Sequence, residues 1–359
     1  MIKQVYLILF LLFTVPSFCQ DINKIATEII AKDSIPALAY AIVSFDEMKS
    51  NVIGNRILLN PKNGANQSDY FHLGSNSKAI TGFVAAYLVE SGKINWNTKF
   101  FDLFPELMNK SNLAYENITL LDLLSHRGRI NAFTSGNEFL NLPKFKGSKK
   151  EQREQFAKYV LTLNPVENNE VYNYSNAGYS VAALMLEKVT NQSWEDLVKL
   201  VLTDKLNLDV AFGWPNRNFK NQPFGHWEEN GKIISLNPDV DYDLRYIEPG
   251  GDLSMKIEDY AKFIQLNLQG LKGKDNLLKA ETYQFLHFGL PDYSIGWANF
   301  ITKGNQNSEH AGSDGTFFSF TLIQPNLDKA FIVLVNSGTE IAQEGVFEMI
   351  KHLKIIYTD

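Results

Sequence analysis

Cysteine is almost absent from this sequence. Cys19 is the single cysteine among 359 residues, and it lies at the end of an N-terminal segment that we expect to be removed. The remaining chain is therefore predicted to contain no disulfide and to use no thiol chemistry, even in an oxidising compartment. Packing must supply the stability instead, and a composition of 45% hydrophobic and 13% aromatic residues is sufficient for a large core.

The sequence also lacks the patterns that bind metals or nucleic acids. Its six histidines are far apart and form no His-Glu-x-x-His or His-x-His pair, so we predict no metal ion and no other cofactor. The 34 basic and 40 acidic side chains give a formal net charge of −6, and no basic stripe predicts a nucleic-acid partner. A cluster of lysines in a polar stretch is typical of a solvated loop: Lys144, Lys146, Lys149 and Lys150.

Long hydrophobic runs are missing after the N-terminus. Residues 5–15 form an apolar segment behind Lys3, and residues 16–19 end with small side chains where a signal peptidase reads them. This pattern predicts a signal peptide over residues 1–19 and export to the periplasm or the medium. The apolar segment is too short to span a bilayer comfortably, and no later segment is long enough. A lipid anchor on Cys19 is the alternative, although Phe18 fits a lipoprotein signal poorly.

Strand-like runs occur at both ends of the chain, and helical patterns occupy the middle. We predict strands over residues 37–45, 51–59, 293–302, 316–324 and 329–336, and helices over residues 22–31, 177–189 and 341–356. This order predicts an α+β fold, in which one antiparallel sheet is built from the N- and C-terminal segments and flanked by helices. A mainly helical subdomain is inserted between the halves of the sheet.

We expect one domain over residues 20–359, made of two lobes. The sheet lobe covers about residues 20–74 and 290–359, and the helical lobe covers about residues 75–289. Clefts between two such lobes are common ligand sites. The sequence does not predict the oligomeric state.

The stretch Ser75-Asn76-Ser77-Lys78 precedes apolar residues at helical spacing. Ser75 and Lys78 are therefore predicted to share one face near a helix N-terminus, where unpaired N–H groups and the helix dipole favour developing negative charge. A serine in that setting becomes a nucleophile when a base is near. Lys78 is such a base only when it is neutral, and burial can lower its pKa far enough. The alternative is an ordinary capped helix.

A tyrosine followed two residues later by an amide is a plausible second element of such a site. Tyr115-Glu116-Asn117 is one match, and it resembles a surface loop. Tyr174-Ser175-Asn176 is the other, and it directly precedes a clear helical pattern. Ser175 and Asn176 are also natural helix caps, so capping is an equal alternative for this match.

Three His-x-Gly tripeptides could supply a third element from a strand edge. His126-Arg127-Gly128 and His287-Phe288-Gly289 both read as helix ends. His310-Ala311-Gly312 differs, because Ser313-Asp314-Gly315 and an apolar strand follow it directly. Small residues at that point allow a substrate backbone to approach closely.

Taken together and in this order, the three motifs resemble those of the penicillin-recognising serine hydrolases, the superfamily of serine β-lactamases and DD-peptidases. The tyrosine variant is similar to class C β-lactamases, serine DD-peptidases and related esterases. Other stretches that resemble the family are residues 71–74, 89–94, 120–126 and 249–254. The resemblance covers nearly all of residues 22–356.

The resemblance implies a role for each matched position. Ser75 attacks an acyl carbonyl, while Lys78 and Tyr174 share its proton, and Tyr174 activates the water that releases the acyl group. Asn176 orients Lys78 and the substrate amide. His310, Ala311, Gly312 and Ser313 form the strand edge that binds substrate, and the backbone N–H groups of Ser75 and Ser313 form the oxyanion hole.

Two positions depart from the family pattern. His310 and Ala311 stand where family members that bind a carboxylate have lysine and threonine, which removes a fixed charge and a hydroxyl. This favours a DD-peptidase or an esterase over a dedicated β-lactamase. Arg127 and Arg129 replace small polar residues, and we expect a surface ion pair there rather than a contact with substrate.

The predicted function is that of an exported serine hydrolase with a small-molecule or peptide substrate: a cell-wall peptide containing D-amino acids, an ester or amide, or a slowly hydrolysed β-lactam. The alternative is a receptor or cell-wall binding protein on the same fold that acylates slowly or not at all. An ordinary α/β-hydrolase is rejected, because the nearest match to its nucleophile elbow, residues 178–182, lies within a helical pattern.

Overall fold

The computed structural model describes residues 22–60, 62–167 and 170–358, so the predicted signal peptide lies outside the described residues. The helices are α1 (Ile22–Lys32), α2 (Ser77–Glu90), α3 (Phe100–Leu103), α4 (Leu120–Leu124), α5 (Lys149–Val160), α6 (Asn176–Thr190), α7 (Trp194–Val198), α8 (Pro215–Asn218), α9 (Glu248–Gly251), α10 (Ile257–Leu271), α11 (Ala280–Phe288) and α12 (Glu340–Thr358). The strands are β1 (Ala37–Val43), β2 (Met48–Gly54), β3 (Tyr70–His72), β4 (Ala211–Phe212), β5 (His226–Glu229), β6 (Lys232–Ser235), β7 (Leu253–Lys256), β8 (Ala298–Thr302), β9 (Asn305–Ser313), β10 (Phe318–Gln324) and β11 (Lys329–Val335).

The largest sheet joins the two ends of the chain, as the sequence predicts. Its six strands are antiparallel and run in the order β2-β1-β11-β10-β9-β8. The central pairing aligns β1 with β11, with Leu38 opposite Val335 and Val43 opposite Ala330. Both of these strands are apolar almost throughout, because helices cover each face of the sheet at this point.

Alternation along β1 divides the core into two layers. Leu38, Tyr40 and Ile42 face α1 and α12, whereas the alanines between them face the second layer, which includes α10 and α2. Small side chains on that inner face allow α10 to pack closely. The α2 helix is buried along nearly its whole length, as expected for a helix that is hydrophobic on every side.

Shorter strands occur within the mainly helical part of the chain. A three-stranded sheet has the order β3-β7-β4, and β5 pairs with β6 as a hairpin. The small sheet brings the chain before α2 next to the segment that follows α9. No helix among the described residues is long and apolar enough to cross a membrane.

Several predicted strand boundaries are wrong for identifiable reasons. The first hairpin turns earlier than predicted, since Ser44 N–H donates to Glu47 O over 2.7 Å, so β2 begins at Met48 instead of residue 51. Residues 314–317 form a turn in which the Asp314 carboxylate accepts N–H bonds from Thr316 and Phe317, so β10 begins at Phe318.

The strand pattern of the sequence did not predict β9, because its composition is polar; only the resemblance implied a strand edge, at residues 310–313. Its buried polar side chains are paired: Asn307 Oδ1 accepts from Gln324 Nε2 over 2.8 Å, and Ser308 Oγ lies 2.7 Å from His287 Nδ1. Such pairing removes most of the cost of burying polar groups. The β8 strand is correspondingly shorter than predicted, beginning at Ala298.

Candidate active site

Ser75 lies in a tight 3₁₀ turn, Gly74–Asn76, directly before α2. Buried side chains on both sides hold this turn. The Asn76 side chain donates to Ser319 Oγ over 2.7 Å and accepts from Tyr260 OH over 2.9 Å. Asn76 is fully buried, whereas Ser75 remains partly exposed. The turn therefore presents the Ser75 hydroxyl on a rigid support at the surface of a cleft.

The turn lies against the end of β9 without any intervening side chain. A Cβ placed on Gly312 would lie 2.7 Å from Ser75 N, and a Cβ on Gly74, whose φ is +49°, would collide with Ser313 N. Glycine is required at both positions for this approach. The arrangement brings the backbone amides of Ser75 and Ser313 side by side, as an oxyanion hole requires.

Lys78 is fully buried, with 0% of its surface exposed. Its Nζ lies 3.1 Å from Ser75 Oγ, 2.5 Å from Asn176 Oδ1 and 2.6 Å from Gly250 O. Among the described residues, no carboxylate forms an ion pair with it. Burial lowers the pKa of Lys78 well below its usual value.

The contacts of Lys78 suit a neutral amine, which has two N–H donors and one lone pair. Asn176 Oδ1 and Gly250 O can only accept, so they take the two N–H groups. The lone pair then faces Ser75 Oγ, 3.1 Å away, and can accept the hydroxyl proton. In this protonation state Lys78 is positioned to remove the proton from Ser75.

The sequence left open whether Ser175 and Asn176 cap a helix or contribute to the site, and in the structure each residue has one of these roles. Ser175 caps α6, since its Oγ accepts from Gly178 N over 2.9 Å and donates to Asn131 O over 2.7 Å. The Asn176 side chain turns away from the cap. Its Oδ1 binds Lys78 and its Nδ2 donates to Phe133 O over 2.9 Å.

Tyr174 and His310 lie together on the other side of Lys78. The Tyr174 hydroxyl is 3.2 Å from His310 Nε2, and its ring centroid is 4.6 Å from Lys78 Nζ. Burial raises the pKa of Tyr174, and a hydrogen bond with Ser75 offsets part of that effect. Tyr174 is therefore a neutral phenol at pH 7 and suits a proton relay.

His310 is neutral and has a fixed tautomer. Burial lowers the pKa of His310 to about 3. Its Nδ1 lies 2.6 Å from Gly296 O, which can only accept, so Nδ1 carries the hydrogen and Nε2 accepts from Tyr174. His310 thus orients the phenol and offers no positive charge to a substrate carboxylate.

Ala311 is placed differently from the other predicted residues of this strand edge. Its side chain lies on the opposite face of the sheet, where it lines a groove with Phe320 and Phe347. The hydroxyl that alanine lacks would therefore not have faced the cleft. The interpretation of Ala311 as a lost hydrogen-bond donor is wrong for this reason.

Two expectations away from the motifs are also wrong. Arg127 and Arg129 form no ion pair among the described residues. Arg127 donates to Pro291 O and Tyr293 O, both over 2.7 Å, and to Ser125 O over 3.0 Å, and Arg129 donates to Val166 O over 2.9 Å. Tyr115, which the sequence places in a surface loop, is buried.

A cleft of about 830 Å³ opens above Ser75 and is lined also by Asn176 and Ser313. Sequence reasoning missed two groups here. One is Gly250 O, which accepts a hydrogen bond from Lys78 Nζ. It lies within the stretch 249–254, and the resemblance of that stretch to the family was the signal that could have found it. Phe133 was not singled out, and no motif marks it. Among the described residues, no group of three or more potential ligands is placed to hold a metal ion.

Comparison with known proteins gives a consistent result. A family model described as Beta-lactamase matches residues 22–346. The protein Flp of Staphylococcus aureus strain N315 is 23% identical over 343 residues, which are 93% of this chain and 65% of Flp. The chain thus spans slightly less than two thirds of that relative.

Two further proteins, one matched by sequence and one by structure, also resemble most of this chain. Penicillin-binding protein 4 of Amycolatopsis lactamdurans is 23% identical over 289 residues, covering 75% of this chain and 72% of that protein. The octameric penicillin-binding protein homologue from Pyrococcus abyssi has a TM-score of 0.73 and 19% identity, covering 93% of this chain and 78% of its own. This last likeness shows a shared fold.

Proposed function

Because the chain belongs to the beta-lactamase family, we propose that it is an exported serine hydrolase that forms an acyl-enzyme at Ser75. Its substrates are peptides containing D-amino acids or small esters and amides, and β-lactams are slow substrates. The observation that carries this proposal is the buried Lys78, whose Nζ lies 3.1 Å from Ser75 Oγ with no carboxylate partner among the described residues.

In the acylation step, Ser75 Oγ bonds to the carbonyl carbon of the substrate while its proton passes to Lys78 Nζ. The carbonyl oxygen becomes negative and accepts hydrogen bonds from the backbone N–H groups of Ser75 and Ser313. Losing one such donor typically costs about 3 kcal/mol of transition-state stabilisation. The proton then passes from Lys78 through the Tyr174 hydroxyl to the leaving atom as its bond to carbon breaks.

Water completes the reaction. It attacks the Ser75 ester, gives a proton to the Lys78–Tyr174 pair, and the same proton returns to Ser75 Oγ as the acid is released. Asn176 and Gly250 keep the two N–H groups of Lys78 occupied throughout, which directs its lone pair to the reacting atoms.

Intact-mass spectrometry after exposure to a fluorophosphonate, and separately to a penicillin, tests the proposal. We expect an adduct on the protein that maps to Ser75 and disappears in Ser75→Ala. Ser91→Ala, at the exposed far end of α2, is the matched control and should retain the adduct. A folded protein that forms no adduct with either reagent would contradict the proposal and favour a receptor on the same fold.

Export is supported by the pattern of residues 1–19 alone. N-terminal mass analysis of the protein secreted from a bacterial host should find a chain that begins at Gln20. Metabolic labelling with a fatty acid should leave the protein unlabelled. A lipid-modified Cys19 would instead identify a lipoprotein.

A further inference from the structure

We propose that the cleft selects neutral acyl groups with a medium-length hydrocarbon chain, so that alkanoyl esters are better substrates than acyl groups that carry a carboxylate. This inference rests on the proposed acyl-enzyme at Ser75. Three observations support it: the residues that line the cleft, the charges of those residues, and the position of the residue that gives a proton to the leaving group.

One side of the cleft is apolar. We call the four residues Phe133, Phe139, Leu140 and Leu142 the apolar wall; all of them line the cleft that contains Ser75. Phe133 packs edge-on against Phe139, with ring centroids 5.5 Å apart. Leu140 is 77% exposed. A hydrocarbon chain lying along this wall would remove that apolar surface from water.

The apolar wall is rigidly attached to the catalytic residues. Phe133 has a φ of +49°, a conformation that bulky residues rarely adopt. The Glu138 carboxylate maintains it by accepting backbone N–H bonds from Phe133 and Thr134, both over 2.7 Å. Phe133 O in turn accepts from Asn176 Nδ2. Strain held in this way is typical of a functional site, and the bond to Asn176 positions Phe133 relative to the catalytic residues.

The remaining lining of the cleft is apolar close to Ser75 and carries a net negative charge further out. A Cβ on Gly251 would lie 3.4 Å from Leu244 Cδ1 and 4.0 Å from Gly74 C, so Leu244 lies beside the Ser75 turn. Arg245 donates to Asp243 over 2.7 Å and to Asp241 over 2.8 Å. These paired charges offer little to a substrate carboxylate.

No other group in the described part of the cleft is suited to bind an anion firmly. Lys144 lines the cleft and is exposed to solvent, which screens its charge. His310 is neutral and donates its single N–H to Gly296 O. A carboxylate brought into the cleft would therefore lose hydration without gaining a buried cation.

The cleft takes the acyl side of the substrate because the leaving group must lie beside its proton donor. That donor is Tyr174, which is paired with His310, and neither residue lines the cleft. Ser75, Asn176 and Ser313 do line it. The part of the substrate that remains bonded to Ser75 after the first step therefore extends towards the apolar wall.

A series of p-nitrophenyl esters with one leaving group and different acyl chains tests the inference. Burying a methylene is worth roughly fourfold in binding, and partial burial should raise kcat/KM at least about tenfold from acetyl to octanoyl. The suberoyl monoester has the same length as the octanoyl ester but ends in a carboxylate. We expect it to react at least about tenfold more slowly.

Leu140→Ser and Leu113→Ser form a matched pair, because Leu113 is 69% exposed and does not line the cleft. Leu140→Ser should reduce kcat/KM for the octanoyl ester about threefold to tenfold more than it reduces kcat/KM for the acetyl ester, whereas Leu113→Ser should change neither. These results would support the inference.

Two other outcomes would overturn it. Equal rates along the acyl series would show that the wall does not bind the acyl chain. Faster reaction of the suberoyl ester, reversed by Lys144→Gln, would show an anion site instead. In both cases a fluorophosphonate adduct on Ser75 would leave the proposed function standing. Absence of that adduct together with absence of ester hydrolysis would overturn both.

Discussion

Among the described residues, one lysine and one arginine are buried, and their surroundings are opposite. Arg153, on α5, has 1% of its surface exposed and contacts three carboxylates, those of Glu187, Glu195 and Glu248. Lys78, on α2, is equally buried and contacts a hydroxyl, an amide oxygen and a backbone carbonyl. The carboxylates raise the pKa of Arg153, whereas burial lowers that of Lys78.

The difference shows what each residue is for. A buried cation stays charged where carboxylates surround it, as they surround Arg153. At Lys78 it supplies neutral acceptors only, so the amine loses its proton instead. The first arrangement holds α5, α6 and α7 together, and on the proposed function the second provides a base beside Ser75.

Lys78→Arg should have the largest effect, because it puts a permanently charged group where a neutral base is needed. We expect kcat/KM for an ester to fall by about 10²- to 10⁴-fold, and Lys78→Ala should fall by a similar factor. The measurement is steady-state hydrolysis, with circular dichroism to confirm folding. An arginine variant that retains wild-type activity would show that Lys78 does not act as the base.

Arg153→Met should mainly affect stability. Removing the cation leaves three carboxylates close together in the core, and we expect a loss of about 3–5 kcal/mol in the free energy of unfolding. Urea denaturation measures it. Lys78→Met provides the contrast, because a neutral amine leaves no unpaired buried charge. If Arg153→Met and Lys78→Met lost equal amounts of unfolding free energy, the proposed difference in charge between the two sites would be contradicted.

Asn176→Asp places a carboxylate beside Lys78, so that its surroundings become more like those of Arg153. A carboxylate 2.5 Å from Nζ raises the pKa of Lys78, so the base is protonated at neutral pH. We expect kcat/KM to fall by about 10²-fold near pH 7 and to recover as the pH rises. Asn176→Ala, which adds no charge, should show no such shift in its pH profile, and identical profiles would contradict the interpretation.

Glu248→Gln should have the smallest effect, on the pH dependence of stability. Burial raises the pKa of Glu248 from 4.5 to about 7. The folded state therefore binds more protons than the unfolded state between these values, and this contribution to stability is lost as the pH rises through the window. The loss is about 1–2 kcal/mol between about pH 5 and pH 7. Urea denaturation at both pH values should show a flatter dependence in the variant.

The parts of the site that carry motifs were predictable from the sequence. Ser75, Lys78, Tyr174, Asn176 and His310 come from three distant segments of the chain and lie together in the structure. The antiparallel sheet from both termini was also predictable, because β1, β10 and β11 are apolar runs of strand length. Each of these features depends on a local pattern that tertiary contacts reinforce.

Features that depend on pairing between distant groups could not be predicted. The polar β9 strand is stable only because Asn307 and Ser308 meet Gln324 and His287. The neutrality of Lys78 depends on which atoms surround it. One of them is the backbone carbonyl of Gly250, and the sequence does not mark it because every residue has a backbone carbonyl. The direction of the Ala311 side chain follows from the register between β9 and β10.

The central pairing of β1 with β11 places residues from the two ends of the chain in one ladder, with Leu38 opposite Val335. Contacts over such long sequence separations form late in folding, because the entropy of closing the loop is lost before they stabilise the chain. His310 and Ser313 lie on β9, whose neighbours in the sheet are also C-terminal strands. On the proposed function, a nascent chain that still lacks these strands holds its serine and its lysine without the oxyanion hole, and it cannot yet hydrolyse a substrate.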